Sequence, residues 1–148
     1  MSGRLGKDKV AGVLYGIFSC EKVVSETINW HRVASDTGEM VVYVAQSKPS
    51  SYGKGNWYYE FWNSVIYTTV DRIIERGARL ILFDYVNRRY CVLSGDDILW
   101  VRDNSTRDRG DRGLVTDFVV VETNSGSYYL KPYLSLTGLH RLVEVVSS

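Results

Sequence analysis

The run Met40-Val-Val-Tyr-Val-Ala-Gln-Ser-Lys48 constrains this chain more than any other stretch. β-Branched and aromatic residues fill positions 41–44, and Pro49-Ser-Ser-Tyr-Gly53 halts the pattern, so the run predicts a strand. Side chains alternate along a strand, which puts Met40, Val42, Val44, Gln46 and Lys48 on one face. That face starts apolar and ends in an amide and an amine. An ammonium beside a core strand is costly to bury unless an anion meets it. Gln46 and Lys48 therefore either line a site for an anion or a metal-bound phosphate, or surface into water where the strand ends.

The neighbouring segments supply partners for such a strand. Val10, Leu14, Ile17, Val24 and Ile28 recur at spacings of three, four and seven, which predicts one helix from Val10 to about Ile28. Glu21 falls inside that stripe, where a carboxylate needs a partner, or at its edge, where it reaches water or pairs with Lys22 or Lys9. Trp30 to Ala34 reads as a short strand, joined by the turn Asp36-Thr-Gly-Glu39 to the run at 40–48 as a hairpin. An aromatic strand comes next at 56–62, then a helix from Tyr67 to Arg76 stopped by Gly77. Residues 79–86 and 90–93 make a second hairpin through Asn87-Arg88-Arg89. Asp96 and Asp97 are candidates to cap a helical turn over Ile98–Val101. The Arg/Asp/Gly-rich stretch 102–113 reads as a mobile loop. A last hairpin turns at Asn124-Ser-Gly126, and Leu136 to Val146 is a strand or short helix whose spacing leans to helix. The order predicts an α+β or α/β fold with a mixed central β-sheet flanked by helices.

The 148 residues, 45% of them hydrophobic, fit one domain over 1–148 with a loose arm at 1–8. Lys plus Arg number 18 against 17 for Asp plus Glu, so net charge gives no argument for a polyanionic partner, and only clustering could supply one. No apolar run approaches the roughly 20 residues that cross a bilayer, and the first residues lack the apolar core of a signal peptide. The expectation is a cytoplasmic protein with no membrane partner. Cys20 and Cys91 lack metal-ligand spacing and read either as reduced core thiols or as a disulfide, the first favoured; His31 and His140 stand alone.

Three stretches together resemble a known family. Gly16-Ile-Phe-Ser-Cys-Glu21-Lys-Val-Val-Ser-Glu26 is similar to the first-helix signature of PD-(D/E)XK nucleases. Gln46-Ser-Lys48 resembles the strand that carries their (D/E/Q)-x-K element, and the Gly-Lys loop leading into the aromatic strand at 56–62 is similar to the next strand of those nucleases. The resemblance spans roughly residues 10–100 and implies a restriction-endonuclease-like fold. It also implies catalytic roles for Glu21, Asp36, Gln46 and Lys48, with Asp36 and Gln46 holding Mg²⁺ or Mn²⁺. The sequence departs from the family at the acid before the motif strand. Asp36 lies close to Gln46 in sequence, and in a longer register Asn29 would hold that place, which would favour a descendant that binds without cutting.

The chemistry accounts for these residue types. Phosphodiester hydrolysis uses a divalent cation to bind the phosphate and to acidify an attacking water. Mg²⁺ takes hard oxygen ligands, and Lys48 would steady developing charge. For DNA, Lys54, Arg88, Arg89, Arg107, Arg109 and Arg112 are candidate phosphate contacts. Trp57, Tyr58, Tyr59 and Trp62 either stack on bases or fill the core. The leading expectation is a metal-dependent nuclease acting on DNA as a homodimer, its status as an enzyme left open. The alternatives are a catalytically inactive nucleic-acid-binding domain on the same fold and a protein-interaction or assembly module.

Overall fold

The structure, a computed structural model, describes residues 3–54, 57–132 and 140–147, with backbone only for 49–54 and 57–62. Strand β3 (Gly38–Ser47) lies at its centre. Its run of strand formers is nearly continuous because both faces are covered. Val42 and Val44 pack with Val10 and Leu14 of helix α1 (Lys7–Phe18), whereas Ala45, with Val41 and Tyr43 beside it, faces the opposite core.

β1 (Lys22–Ser25), β2 (Trp30–Ser35) and β3 form an antiparallel meander. The chain then leaves this sheet. β4 (Pro49–Lys54) and β5 (Trp57–Ile66) belong to a second sheet, and α2 (Tyr67–Glu75) carries the chain back to β6 (Arg79–Asp84). β6 lies beside β3 and parallel to it, with Val42 opposite Arg79 and Ser47 opposite Asp84. A parallel neighbour needs such a long crossover. β7 (Arg89–Leu93) returns antiparallel, and the sheet runs β1-β2-β3-β6-β7 to a short edge strand, β12 (Val146–Ser147). The second sheet centres on β9 (Leu114–Thr123), paired with β5, with β10 (Tyr128–Lys131) and with β8 (Thr106–Asp108); β11 (Arg141–Val143) and β4 lie outermost. Among the described residues this is a mixed α+β protein with three α-helices and two sheets.

Two cores result. One lies between α1 and the outer face of the first sheet, and includes Ile81 and Phe83. The larger fills the space between the sheets, where Leu80, Leu82 and Leu93 meet Phe118, Val120 and Leu130. Val70 and Ile73 of α2, and Ile98 and Val101 of α3 (Gly95–Asn104), close it. Each such side chain contributes roughly 1.5–3 kcal/mol by leaving water.

The hairpins, the helix at 67–76 and the turns stand where the sequence puts them. Gly77, at φ +63°, ends α2 with a pair of bonds: its own N–H donates to Ile74 O, and Ala78 N–H donates to Ile73 O. Five expectations need correction. Where the sequence predicts the stop and loop after the strand at 40–48, Pro49–Lys54 is strand β4, paired with β5. The first helix stops at Phe18, because Ser19 turns left-handed (φ 48°) and Lys22–Ser25 pairs with β2 instead. Cross-strand pairing overrides a helical spacing to which Val24 and Ile28, both exposed, belonged by coincidence. The stretch 102–113 is not a structureless loop; it holds the end of α3, β8 and a 3-10 turn at Gly110–Arg112. The cap of α3 is Ser94, whose hydroxyl accepts the Asp97 N–H while Asp97 accepts the Ser94 N–H. At the C-terminus, residues 133–139 lie outside the described ones, and 141–143 and 146–147 are strands rather than helix.

Candidate functional site

β3 and β6 run side by side in one direction and end together at Ser47 and Asp84. In sheets with parallel strands, the crevice beyond the carboxyl ends is where ligands bind. Here the chain crosses at Lys48 from one sheet to the other, and the crossing leaves a cleft of about 400 Å³. Arg4, Gln46, Ser47, Lys48, Asn63 and Arg112 line it, with Ser64 and Tyr85. Arg4 and Tyr85 also line a second hollow of about 730 Å³ beside the start of α1, so the two hollows are neighbours at the sheet's end, together termed the groove. Lys7, Lys9 and Arg88 stand along this second part, where Asp8 is the one carboxylate among the described lining residues. Gly6, at the N-cap of α1, supplies no side-chain cap, and the uncapped N–H groups of a helix start carry partial positive charge.

Gln46 lines the cleft, but its side-chain amide is bonded to the arm. Its amide oxygen accepts the Leu5 N–H at 2.8 Å, and its amide nitrogen donates to Leu5 O at 3.0 Å. The side chain thus pairs with the arm as a neighbouring strand would, and holds Arg4 and the start of α1 over the sheet's end. The Gln46 carbonyl accepts the Asn63 amide at 3.0 Å, which ties β3 to β5. Both polar faces of Gln46 are therefore engaged within the protein. Lys48 is exposed, and Ser47 is buried.

Two buried carboxylates sit behind this wall, and sequence reasoning gave neither a role. Asp84 Oδ1 accepts the N–H groups of Val86 (2.9 Å) and Asn87 (3.0 Å), fixing the β6–β7 turn, and Oδ2 lies 3.5 Å from Arg89. Asp117 accepts the Ser64 hydroxyl and the Arg107 Nε–H. An Asp closing the apolar run Leu80–Phe83, and another opening Phe118–Val121, were the available signals. Both acids have basic partners, as buried charges require.

The remaining sequence candidates scatter. Glu21 is on no helix: its N–H donates to Ala34 O, and Ala34 pairs with Glu39 at the start of β3. Asp36 lies in the β2–β3 turn at the same end. From there to Lys48, β3 rises roughly 3.3 Å per residue, about 30 Å in all. Glu21 and Asp36 are thus not brought together with Gln46 and Lys48, and Asp36 and Gln46 cannot share one ion. Asn29 is the residue beside the far half of β3, its amide donating to Val44 O at 2.8 Å. Among the basic candidates, Arg112 joins Lys48 in the cleft and Arg88 lines the groove, 5.5 Å over the Phe83 ring. Arg89 turns inward to Asp84 and the Tyr128 hydroxyl, and Arg107 to Asp117. Arg109 is exposed and does not line the groove. The Lys54 side chain, and those of Trp57, Tyr58, Tyr59 and Trp62, lie outside the described residues. Arg4, Lys7 and Lys9 were missed because the arm reads as loose; the basic spacing Arg4, Lys7, Lys9 was the signal.

Among the described residues, no group of three or more His, Cys, Asp and Glu side chains could hold a metal ion. No described helix is long and apolar enough to cross a membrane. Burial pushes the Cys91 thiol up to about 12, with Asp97 and Glu144 adding to it, so this cysteine is a core residue and no nucleophile. Comparison with family models, curated proteins and solved structures finds no match.

Proposed function

We propose that this protein binds the phosphate backbone of nucleic acid along the groove at the carboxyl ends of β3 and β6, without cutting it. One observation carries this reading. Arg4, Lys7, Lys9, Lys48, Arg88 and Arg112 line two neighbouring hollows in which Asp8 is the one carboxylate among the described residues. Clustered cations, not net charge, are the electrostatic footprint of a phosphate-binding surface. The separation of Glu21 and Asp36 from Lys48 supports binding over hydrolysis, and so does Asn29 where the nuclease pattern wants an acid. The restriction-endonuclease-like arrangement belongs to the same reading. A helix, an antiparallel three-stranded meander, then a helix leading to a strand parallel to the third, all in a mixed sheet, support it.

Fluorescence anisotropy with labelled single-stranded and duplex DNA tests this, run with and without Mg²⁺ or Mn²⁺, the same samples then resolved on a denaturing gel. The expected result is binding that weakens with salt and intact strands on the gel. No binding at low salt overturns the reading. Cleavage that Lys48→Ala abolishes would return the protein to the nucleases.

A further inference from the structure

Among the described residues of the cleft's lining, Ser47 holds a buried polar group without a hydrogen-bond partner. Ser47 is 7% exposed, and its Oγ meets no hydrogen-bond partner among the described residues. Buried hydroxyls are nearly always paired, so an unpaired one that lines a cleft marks a place for a ligand acceptor. Two neighbouring polar groups are committed: the Asn63 amide donates to Gln46 O and the Ser64 hydroxyl to Asp117. Arg4, Lys48 and Arg112 surround the same space, and no carboxylate is among the described residues of its lining. They come from three separate segments: the pinned arm, the crossing between the sheets and the 3-10 turn. Asp84 and Asp117 lie behind the wall, but each has its own arginine, Arg89 and Arg107.

The charge of this cleft selects among phosphates. An internal phosphodiester carries one negative charge. A phosphomonoester carries about 1.5–2 at neutral pH and has three strong acceptor oxygens. Three cations and a spare hydroxyl around one volume match the second better. A volume of about 400 Å³ also lies in the range of small-molecule sites, roughly 300–1,000 Å³, with room for a terminal nucleotide. We infer that this cleft takes the terminal phosphomonoester of a nucleic-acid strand. Ser47 Oγ–H donates to one phosphate oxygen, Arg4, Lys48 and Arg112 offset the charge, and the strand continues past Tyr85 toward Lys7 and Lys9. The inference rests on the nucleic-acid reading above and adds the end of the strand as the preferred ligand.

The test compares one oligonucleotide sequence in three forms, 5′-phosphorylated, 3′-phosphorylated and unphosphorylated, with the matching mononucleotide as a fourth ligand, by competition anisotropy. The expected result is a phosphorylated end that binds at least tenfold tighter than the unphosphorylated strand. That ratio falls to about one in Ser47→Ala and in Arg112→Gln. Arg112 lies on an exposed turn, so its variant carries the test if Ser47→Ala melts early. Equal affinity for all three strands overturns the inference and leaves the groove reading standing. A ratio that survives both substitutions overturns the location. Binding of the mononucleotide while none of the three strands binds overturns both readings, as does no binding at all.

Discussion

Salt titration offers the sharpest check on the groove, because the cations can be counted. Each phosphate neutralised releases condensed counterion, and on single strands log K falls by roughly 0.7 per contact for each decade of salt. Six lining cations, Arg4, Lys7, Lys9, Lys48, Arg88 and Arg112, set an upper limit for the slope of about −4. Between 50 and 200 mM salt that slope costs roughly 300-fold in affinity. The double variant Lys48→Gln/Arg112→Gln removes two contacts, so the slope falls to about −3 and the same salt step costs roughly 50-fold. Lys22, exposed at the start of β1, lies at the far end of the sheet and serves as the control. Lys22→Gln leaves the slope unchanged. The assay is anisotropy with a short single strand over five salt concentrations, with circular dichroism to show that each variant folds. A wild-type slope shallower than −2, or equal slopes in wild type and double variant, refutes the assignment of these cations to phosphate. So does a loss in Lys22→Gln as large as in the double variant.

Other consequences are local. Gln46→Leu keeps the volume of the side chain but removes both bonds to Leu5, so hydrogen exchange at the Leu5 amide speeds up and strand affinity drops several-fold through displaced Arg4 and Lys7. Unchanged exchange there would show that the arm is held by something else. Asp84→Ala strips the β6–β7 turn of its acceptor and leaves Arg89 in the interior without this carboxylate; the loss is on the order of 3–5 kcal/mol, read as a fall in melting temperature of roughly 10 °C. A fall of only a degree or two would refute that role. His31 is buried, with Nε2–H donating to Ile28 O and Nδ1 accepting the Ser25 hydroxyl, and burial lowers its pKa below the ordinary 6.5. The unfolded chain therefore takes a proton that the folded one refuses. Stability is complete above pH 6.5 and falls as the pH drops toward the folded pKa, by up to about 1.4 kcal/mol per pH unit. Denaturant midpoints flat from pH 7 to 5, or the same trend in His31→Gln, would refute the assignment to His31.

Local chemistry made the hairpins legible. Gly38 and Gly126, at φ +135° and +87°, sit in turns that the sequence marks with Asp36-Thr-Gly and Asn124-Ser-Gly, between runs of strand formers. The first helix was misread beyond Phe18 because what makes Lys22–Ser25 a strand is its pairing with Val33 and Arg32 of β2, a contact no periodicity reports. The same limit applied to the site. Lys48 and Arg112 announced themselves by type, and Gln46 by its place on a core strand. Its partner is the Leu5 backbone, 41 residues away, and a backbone group leaves no trace in a sequence pattern. Reading the arm as loose therefore concealed both the function of Gln46 and the membership of Arg4 and Lys7 in the groove. Glu21 misled for a related reason: it comes after a helix in sequence, but lies where β1 and β2 meet, not where β3 ends.

A chain with 18 basic and 17 acidic residues can still present a strongly one-signed surface, depending on where the acids are used. Asp84 and Asp117 lie at the cationic end but inside the protein, engaged with Arg89 and Arg107. Neutralised there, they take little from the field outside, and Arg4, Lys7, Lys48 and Arg112 face the solvent. At the opposite end of the sheet, Glu21, Asp36 and Glu39 are exposed, with Lys22 among them. Arg4, Lys7, Lys48 and Arg112 thus lie at one end of β3 and Glu21, Asp36 and Glu39 at the other, and clustered charge of one sign raises the local concentration of the opposite one. On the proposed reading, a phosphate chain would be drawn toward the ends of β3 and β6 and away from the turn between β2 and β3. That orientation arises from how the strands run, and a net charge of +1 gives no hint of it.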